Sequence, residues 1–478
     1  MDAAVRLDRI VHLIAILIAG LLLGMFLFLA PQVFVADSEF WSISLGYYLK
    51  EEFIHDWVYS RPLFYFLIWL SQPSYQAASE SVYWARGLFS LNALLMLILI
   101  IKIVRRRSDS YVYSFVAVVL LLGNTGYLNQ GFRIRSDLMA TTLALLGLYF
   151  FGLKGPKWLI LSPLLATPKA LIHVLALVPI YFKKIDFYKR RKLLYALLPL
   201  TCLVLILNWN SLIYFLSSFG SGTGGPGYFE ARSFSHVKNQ FFRNPLFWVL
   251  FFLRFYTWKK VRDLKSVQER SAENFWILAT VYFLFSMLLF TEKVQFFIAS
   301  FLPYFAMHGA LFFADLKALG KVKTKAALIV LSCTICLATG GWWTTVNLQG
   351  NTNTAQLKAL DDLYAYMVAA NVKSFEDFNC LLPPYCATRK FIGPHQPQSN
   401  SANLEMFKMN PTQVFYYLKK ADLLEPELGL FLAENYIALG RGIFILKDEH
   451  VHVPESLRGI LDVVPTNFSY LFGYDIEY

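Results

Sequence analysis

Apolar runs, each about as long as one helical crossing of a bilayer, recur from residue 10 to residue 344 with short polar interruptions between them. Their spacing predicts crossings at about 10–30, 84–104, 111–128 and 137–153, and again at about 193–212, 243–258, 274–290, 294–313 and 326–344. The pattern is irregular at "WLILSPLLATPKALIHVLALVPIYF" (158–182). This run is long enough for one crossing, whereas two need about forty residues. A single crossing would put the following loop, "KKIDFYKRRK", on the side opposite the other basic loops. A broken or re-entrant hairpin is therefore expected, with Thr167, Pro168 and Lys169 at its tip. Irregular backbone at membrane depth needs protein or a water-filled cavity to receive it, so a cavity is expected at that end. Counting both limbs, the chain has about eleven membrane segments.

Beyond residue 344 the periodicity changes. "PTQVFYYLKKADLL", "ELGLFLAENYIAL" and "GIFILKDEHVHV" mix helical and strand-like patterns. The expectation is a polytopic α-helical membrane domain over 1–344 followed by a small α/β soluble domain over 345–478. The first apolar run lacks a small-residue cleavage site and reads as a retained helix.

Composition agrees: hydrophobic residues make up 56% and aromatics 17% of the chain, and the mean hydropathy is +0.46. The net charge of +12 has to be located before it is interpreted. Residues 345–478 hold fifteen Asp/Glu against ten Lys/Arg, so the excess lies in the membrane half. It sits in "KIVRRR" (102–107), "LKGPK" (153–157), "KKIDFYKRRK" (183–192), "WKKVRDLK" (258–265) and "DLKALGKVKTK" (315–325). Short basic loops stay in the cytoplasm, which accounts for the charge without a nucleic-acid partner. The N-terminus is then inside. The long polar stretch 31–83 and the C-terminal domain are outside, in the periplasm if the membrane is a bacterial inner membrane. Cys380 and Cys386 in "CLLPPYC" suit a disulfide there, the alternative being two free thiols. Cys202, Cys333 and Cys336 lie in apolar runs and read as packing residues. The Gly-rich segment 217–240 is either a lid over the cavity or a connector.

Ionisable residues gather at the expected outer boundary, where they are costly and commonly functional. "VADSEFWSISLGYYLKEEFIHDWVYSRPLFYFL" (34–66) supplies Asp37, Glu39, His55, Asp56 and Arg61, with Trp57 and Tyr59 among its aromatics. Arg86 heads the next helix, and "NQGFRIRSD" supplies Arg133, Arg135 and Asp137. The hairpin tip adds Lys169, and "TEKVQFF" adds Glu292, Lys293 and Gln295. Taken singly, Arg86, Arg133 and Lys293 also fit a snorkelling role in the lipid phosphate layer. The joint pattern suits sugar transfer from a lipid phosphate to a hydroxyl. A carboxylate takes the acceptor proton, cations stabilise the leaving phosphate, and aromatics pack on the sugar. A divalent cation (Mg or Mn) bridging carboxylate and phosphate would fall to Asp37, since no dedicated cage is visible.

At these residues the chain resembles the polyprenyl-phosphate-dependent membrane glycosyltransferases of the GT-C type, within them the aminoarabinose transferase and protein O-mannosyltransferase group. The resemblance rests on "ADSEFW" after the first helix, "SRPLFYFL", "VYWARGLFSLNALL", "RIRSDLMATTLALLGLYFFG" and "TEKVQFFIASFLPYFA", in that order. It implies a GT-C-like fold, a polyprenyl-phosphate sugar donor and inverting transfer on the outer face. The acceptor would be a glycan, a lipid or a protein. It also implies Asp37 or Glu39 as the catalytic carboxylate, separated here by Ser38 where the family has adjacent acids. Arg61, Arg86, Arg133, Arg135, Lys169 and Lys293 become candidate phosphate ligands, although a gapless match puts Ser60 at the family's basic position. His55, Asp56, Trp57, Tyr59, Asp137, Glu292 and Gln295 are the remaining substrate-facing candidates. Two other classes fit less closely: a transporter or flippase of a lipid-linked sugar, which should show repeated halves, and an O-antigen ligase or polymerase-type enzyme.

Overall fold

A computed structural model describes residues 3–33, 35, 39, 42, 43, 61–71, 77–152, 157–182, 231–289, 298–350, 352–373, 375–377, 382, 405, 408, 409, 411, 413–416, 426–440 and 443–447. The expected crossing at 193–212, the Gly-rich segment as far as residue 230, and Cys202, Cys380 and Cys386 lie outside these residues.

Helix α1 spans Ala3–Leu29. Its Val11, Ala15, Leu22 and Phe26 are buried, while Leu13, Leu17, Leu21 and Phe28 are exposed as lipid-facing residues should be. Helix α2 (Pro62–Leu70) has proline at its start, where no backbone N–H is needed. Helix α3 (Ala78–Ser108) places Arg105, Arg106 and Arg107 in its last turn, where they oppose the negative end of the helix dipole. Asp109 then takes the left-handed conformation (φ 49°) and ends it. Helix α4 covers Tyr111–Leu122 and the short α5 Thr125–Gln130. Asn124 caps α5, its carboxamide oxygen accepting from the N–H groups of Gly126 (3.0 Å) and Tyr127 (3.4 Å). Gly126 lies under the Gln240 carboxamide, and a Cβ there would stand 2.0 Å from it and displace that side chain.

Helix α6 (Ser136–Gly152) leads to the irregular segment. Residues Lys157–Leu165 form a 3₁₀ helix, Pro168–Ala170 a second short one, and Leu171–Phe182 helix α7. Nine residues of 3₁₀ helix rise about 18 Å, and the twelve of α7 about 18 Å. Neither limb spans the roughly 30 Å hydrocarbon core, and the first 3₁₀ helix packs back against α7, so the segment is a hairpin with its turn at Thr167.

Helices α8 (Ala231–Arg243), α9 (Pro245–Val261), α10 (Val267–Leu289), α11 (Leu302–Ala318), α12 (Val322–Gly350) and α13 (Thr354–Ala369) follow. A capping box opens α10: the Glu269 carboxylate accepts from the Ser266 N–H (2.9 Å), and the Glu269 N–H donates to the Ser266 hydroxyl (3.3 Å). Beyond α13, β1 (Phe375–Asp377), β2 (Val414–Tyr416), α14 (Pro426–Asn435), β3 (Tyr436–Gly440) and β4 (Ile443–Leu446) build a four-stranded sheet of order β1-β2-β4-β3. Only β1 and β2 pair in parallel.

Among the described residues, Arg6–Leu29, Ala78–Ser108 and Val322–Gln349 are long and apolar enough to cross a membrane. Shorter apolar helices at Tyr111–Leu122, Ser136–Phe150 and Trp276–Met287 stand among them. The chain is an integral membrane protein. Its larger core joins α1, α3, α4, α9, α10, α11 and α12. A second core lies where α1 finishes and α3 begins. It gathers Phe64 and Tyr65 of α2, Val82 and Phe89 of α3, Ala166 and Ala170 of the hairpin, Leu357 and Met367 of α13, and Val414 and Ile445 of the sheet. We call this the site end. The basic helix termini meet at the opposite end, where Arg107 pairs with Glu273 and Lys325 with Asp8.

Candidate active site

Glu39 is fully buried at the site end. Arg86, from the first turns of α3, approaches its carboxylate as a fork: Nε donates to Oε1 at 3.0 Å and Nη2 to Oε2 at 2.9 Å. Arg133, just beyond α5, donates from Nη1 to Oε2 at 2.7 Å. The N–H of Ile134 reaches Oε1 at 3.3 Å. Four donors thus fill the roughly four acceptor directions of a carboxylate. The two guanidiniums are spent further: Arg86 Nη1 donates to the Ala30 and Val33 carbonyls, and Arg133 Nε to the Asn129 carbonyl. Arg86 also lies over the Phe132 ring. Both arginines are almost wholly buried, at 1% and 2% exposure, so neither snorkels to the lipid phosphate layer. That reading is corrected by the buried partner, Glu39, which the sequence had placed 47 residues from one arginine and 94 from the other.

Two further cations share this field. Arg61 begins α2 and its guanidinium lies against the hydroxyl of Tyr65, one turn on. Its Nε is buried with no hydrogen-bond partner among the described residues. Arg135 is half-buried. Desolvation pushes its pKa down from the ordinary arginine value; Asp137 and Glu39 act to raise it, Arg133 and Arg61 to lower it. Arg133 is lowered in the same way, by burial first, with Glu39 raising it and Arg86 lowering it. Asp137 is buried in the first turn of α6, where a carboxylate suits the helix dipole. Lys169 is half-buried at the hairpin turn, between the buried Thr167 and Ala170, the latter in the second core.

The structure therefore brings together Glu39, Arg61, Arg86, Arg133, Arg135 and Asp137. Asp37, His55, Asp56, Trp57, Tyr59, Glu292, Lys293 and Gln295 lie outside the described residues. Among the described residues no three His, Cys, Asp or Glu stand close enough to hold a metal ion.

Sequence reasoning missed three groups. His173 of α7 meets the Tyr304 hydroxyl of α11 through Nδ1 at 3.2 Å, tying the hairpin to the bundle. At the basic end Arg254 pairs with Asp315 and Glu273, and Glu273 also receives Arg107. An arginine in the apolar run "WVLFFLRFYTW" was a signal for that network. The third group is the start of α13, where Asn353, Gln356 and Asp361 bond to residues 31–35 and 79. Nothing in the local pattern around residue 356 announces it.

The family model described as "EpsG family" matches residues 47–358. Among solved structures, the chain is similar to ArnT from Cupriavidus metallidurans bound to undecaprenyl phosphate, with a TM-score of 0.58 and 10% identity over 92% of this chain and 99% of that one. Its apo state gives a TM-score of 0.51 and 10% identity over 93% and 98%. No curated protein matches the chain by sequence. The similarity bears out the GT-C-like fold expected from the sequence.

Proposed function

The chain belongs to the EpsG family and has a GT-C fold, and from that premise we propose that it is a membrane glycosyltransferase. It moves a sugar from a polyprenyl-phosphate-linked donor to a hydroxyl of a glycan, lipid or protein acceptor, with inversion. The supporting observation is the charge at the site end. Arg61, Arg86, Arg133 and Arg135 share one electrostatic environment with Glu39 and Asp137, a surplus of cations suited to an anion at the membrane boundary. The apolar tail such an anion would bring accords with undecaprenyl phosphate bound to ArnT.

The hydrogen bonds divide the labour. Glu39 has its acceptor capacity filled by Arg86, Arg133 and Ile134, so it is a poor proton acceptor and a firm anchor for the segment after α1. We assign the base to Asp37, two residues earlier. Its carboxylate takes the proton from the acceptor hydroxyl as that oxygen bonds to the anomeric carbon. The bond from that carbon to the phosphate oxygen breaks on the opposite face, and the electron pair leaves with the phosphate. Arg61, Arg135 and Lys169 stabilise the charge that develops there, while Arg86 and Arg133 act through Glu39. Lys293 belongs with the first group by its place in the sequence. Asp37 would be the residue to hold a divalent cation, which would supply positive charge to the leaving phosphate. We place this face and the C-terminal domain in the periplasm of a bacterial inner membrane, the side opposite the basic loops.

The test is transfer from a polyprenyl-phosphate sugar by purified protein. Asp37→Asn should reduce turnover at least about a hundredfold, the scale of a lost general base, with expression and thermal unfolding unchanged. Retained turnover would remove Asp37 from the chemistry. Donor translocation without transfer in the native protein would make it a flippase.

A further inference from the structure

The backbone leaving α1 is gripped from two directions. Arg86 holds the carbonyls of Ala30 and Val33 from α3. The start of α13 holds the two carbonyls between. Asn353 donates from Nδ2 to the Pro31 carbonyl (2.6 Å) and from its backbone N–H to the Gln32 carbonyl (2.7 Å). Thr352 bridges Val33 in antiparallel fashion. Gln356 then pairs with Val35 twice: the Val35 N–H donates to Oε1 at 2.9 Å, and Nε2 donates to the Val35 carbonyl at 3.0 Å. One carboxamide thus does what a rung of an antiparallel ladder does, satisfying both polar groups of a single residue. Gln356 is 5% exposed and Val35 fully buried, so water cannot take over either bond cheaply. One turn further along α13, Asp361 accepts from the Ser79 N–H at 3.0 Å and ties the same helix to the start of α3. Leu357, Leu360 and Leu363 pack beside these bonds in the second core.

We propose that Gln356 is a positioning residue for the transfer reaction: by fixing both backbone polar groups of Val35, it sets the place from which Asp37, two residues on, meets the acceptor hydroxyl. The inference rests on the glycosyltransferase reading for its chemical consequence, and on the hydrogen bonds alone for its structural one. No other carboxamide or hydroxyl in the described chain bonds to Val35, and among side chains that stay uncharged at neutral pH only Asn and Gln hold a donor and an acceptor side by side as this pair needs. Asn is one methylene shorter. The donor phosphate, held by Arg61, Arg135 and Lys169, does not depend on Gln356, so the loss should fall on turnover and spare donor binding.

The experiment compares the full-length protein with Gln356→Met, which keeps the volume and loses both bonds. Hydrogen exchange of peptides covering residues 31–42 should quicken, while peptides from α4 and α11 keep their protection. In the transfer assay kcat should fall roughly tenfold or more, as small misplacements of reacting groups do, and donor KM should stay within about twofold. Unchanged exchange over 31–42 overturns the clamp. Quickened exchange with kcat unchanged overturns the positioning role. Should Gln356→Met lose protection throughout the chain, Gln356→Asn, which keeps the carboxamide but cannot reach both groups, is read by the same two measurements. If the native protein transfers no sugar, the functional reading fails while the exchange result still decides the clamp.

Discussion

Each end of the helix bundle buries arginines against carboxylates, and the two ends do so in different proportions. At the basic end Arg107 and Arg254 meet Glu273 and Asp315, two charges against two, with Thr257 adding a hydroxyl to Asp315 at 2.8 Å. At the site end Arg86 and Arg133 converge on the single carboxylate of Glu39, and Arg61 and Arg135 stand in the same field with Asp137, four charges against two. A matched set satisfies itself and serves to join helices; here it fastens α3, α9, α10 and α11. A set in which arginines outnumber acids keeps cationic character, and that suits a site for an anionic substrate. Buried ion pairs by themselves say little about stability or function, because desolvation offsets much of the attraction. Their proportion is more informative than their presence.

The comparison can be broken by substitution, beginning with the largest effect. Glu39→Gln leaves two buried guanidiniums without their shared counter-charge. It should cost about 3–5 kcal/mol, as removal of one partner from a buried pair does, and abolish transfer, read as lower thermal unfolding in detergent and loss of turnover together. Asp315→Asn should cost less, about 1–3 kcal/mol, since Arg254 keeps Glu273; turnover per folded molecule should not change. A fall in its kcat would show that the basic end is part of the chemistry and end the contrast. Arg135→Gln should raise donor KM about tenfold, or about 1.4 kcal/mol, with unfolding unchanged. An unaltered KM would move the phosphate elsewhere in the cluster.

Much of the fold was readable from the chain because membrane crossing is a local property. A run of apolar residues announces its own helix, and "SPLLATPKA" announced a break that two short 3₁₀ helices and α7 then realised. The gathering of arginines at one face was also readable, since basic residues there oppose the usual bias. The roles within the gathering were not. Between Asp37 and Glu39 the sequence offers only position, Asp37 lying nearer the membrane end of the stretch; it does not announce that Arg86 and Arg133 arrive from two other helix ends and occupy Glu39. Gln356 was silent for the same reason, its partner lying 321 residues away. The basic-end network joins residues whose local surroundings are plain helix.

The grip of α13 on residues 31–35 also sets a schedule. Synthesis at about 5–20 residues per second puts roughly 16–64 s between the emergence of Val35 and that of Gln356, 321 positions later. Through that interval the first helix is in the membrane and the segment after it waits without its clamp. The last crossing among the described residues, α12, packs along α1 and has to be inserted before α13 can meet the segment after α1. In a nascent chain the segment after α1 is thereby left without its α13 partners until residue 356 has been made.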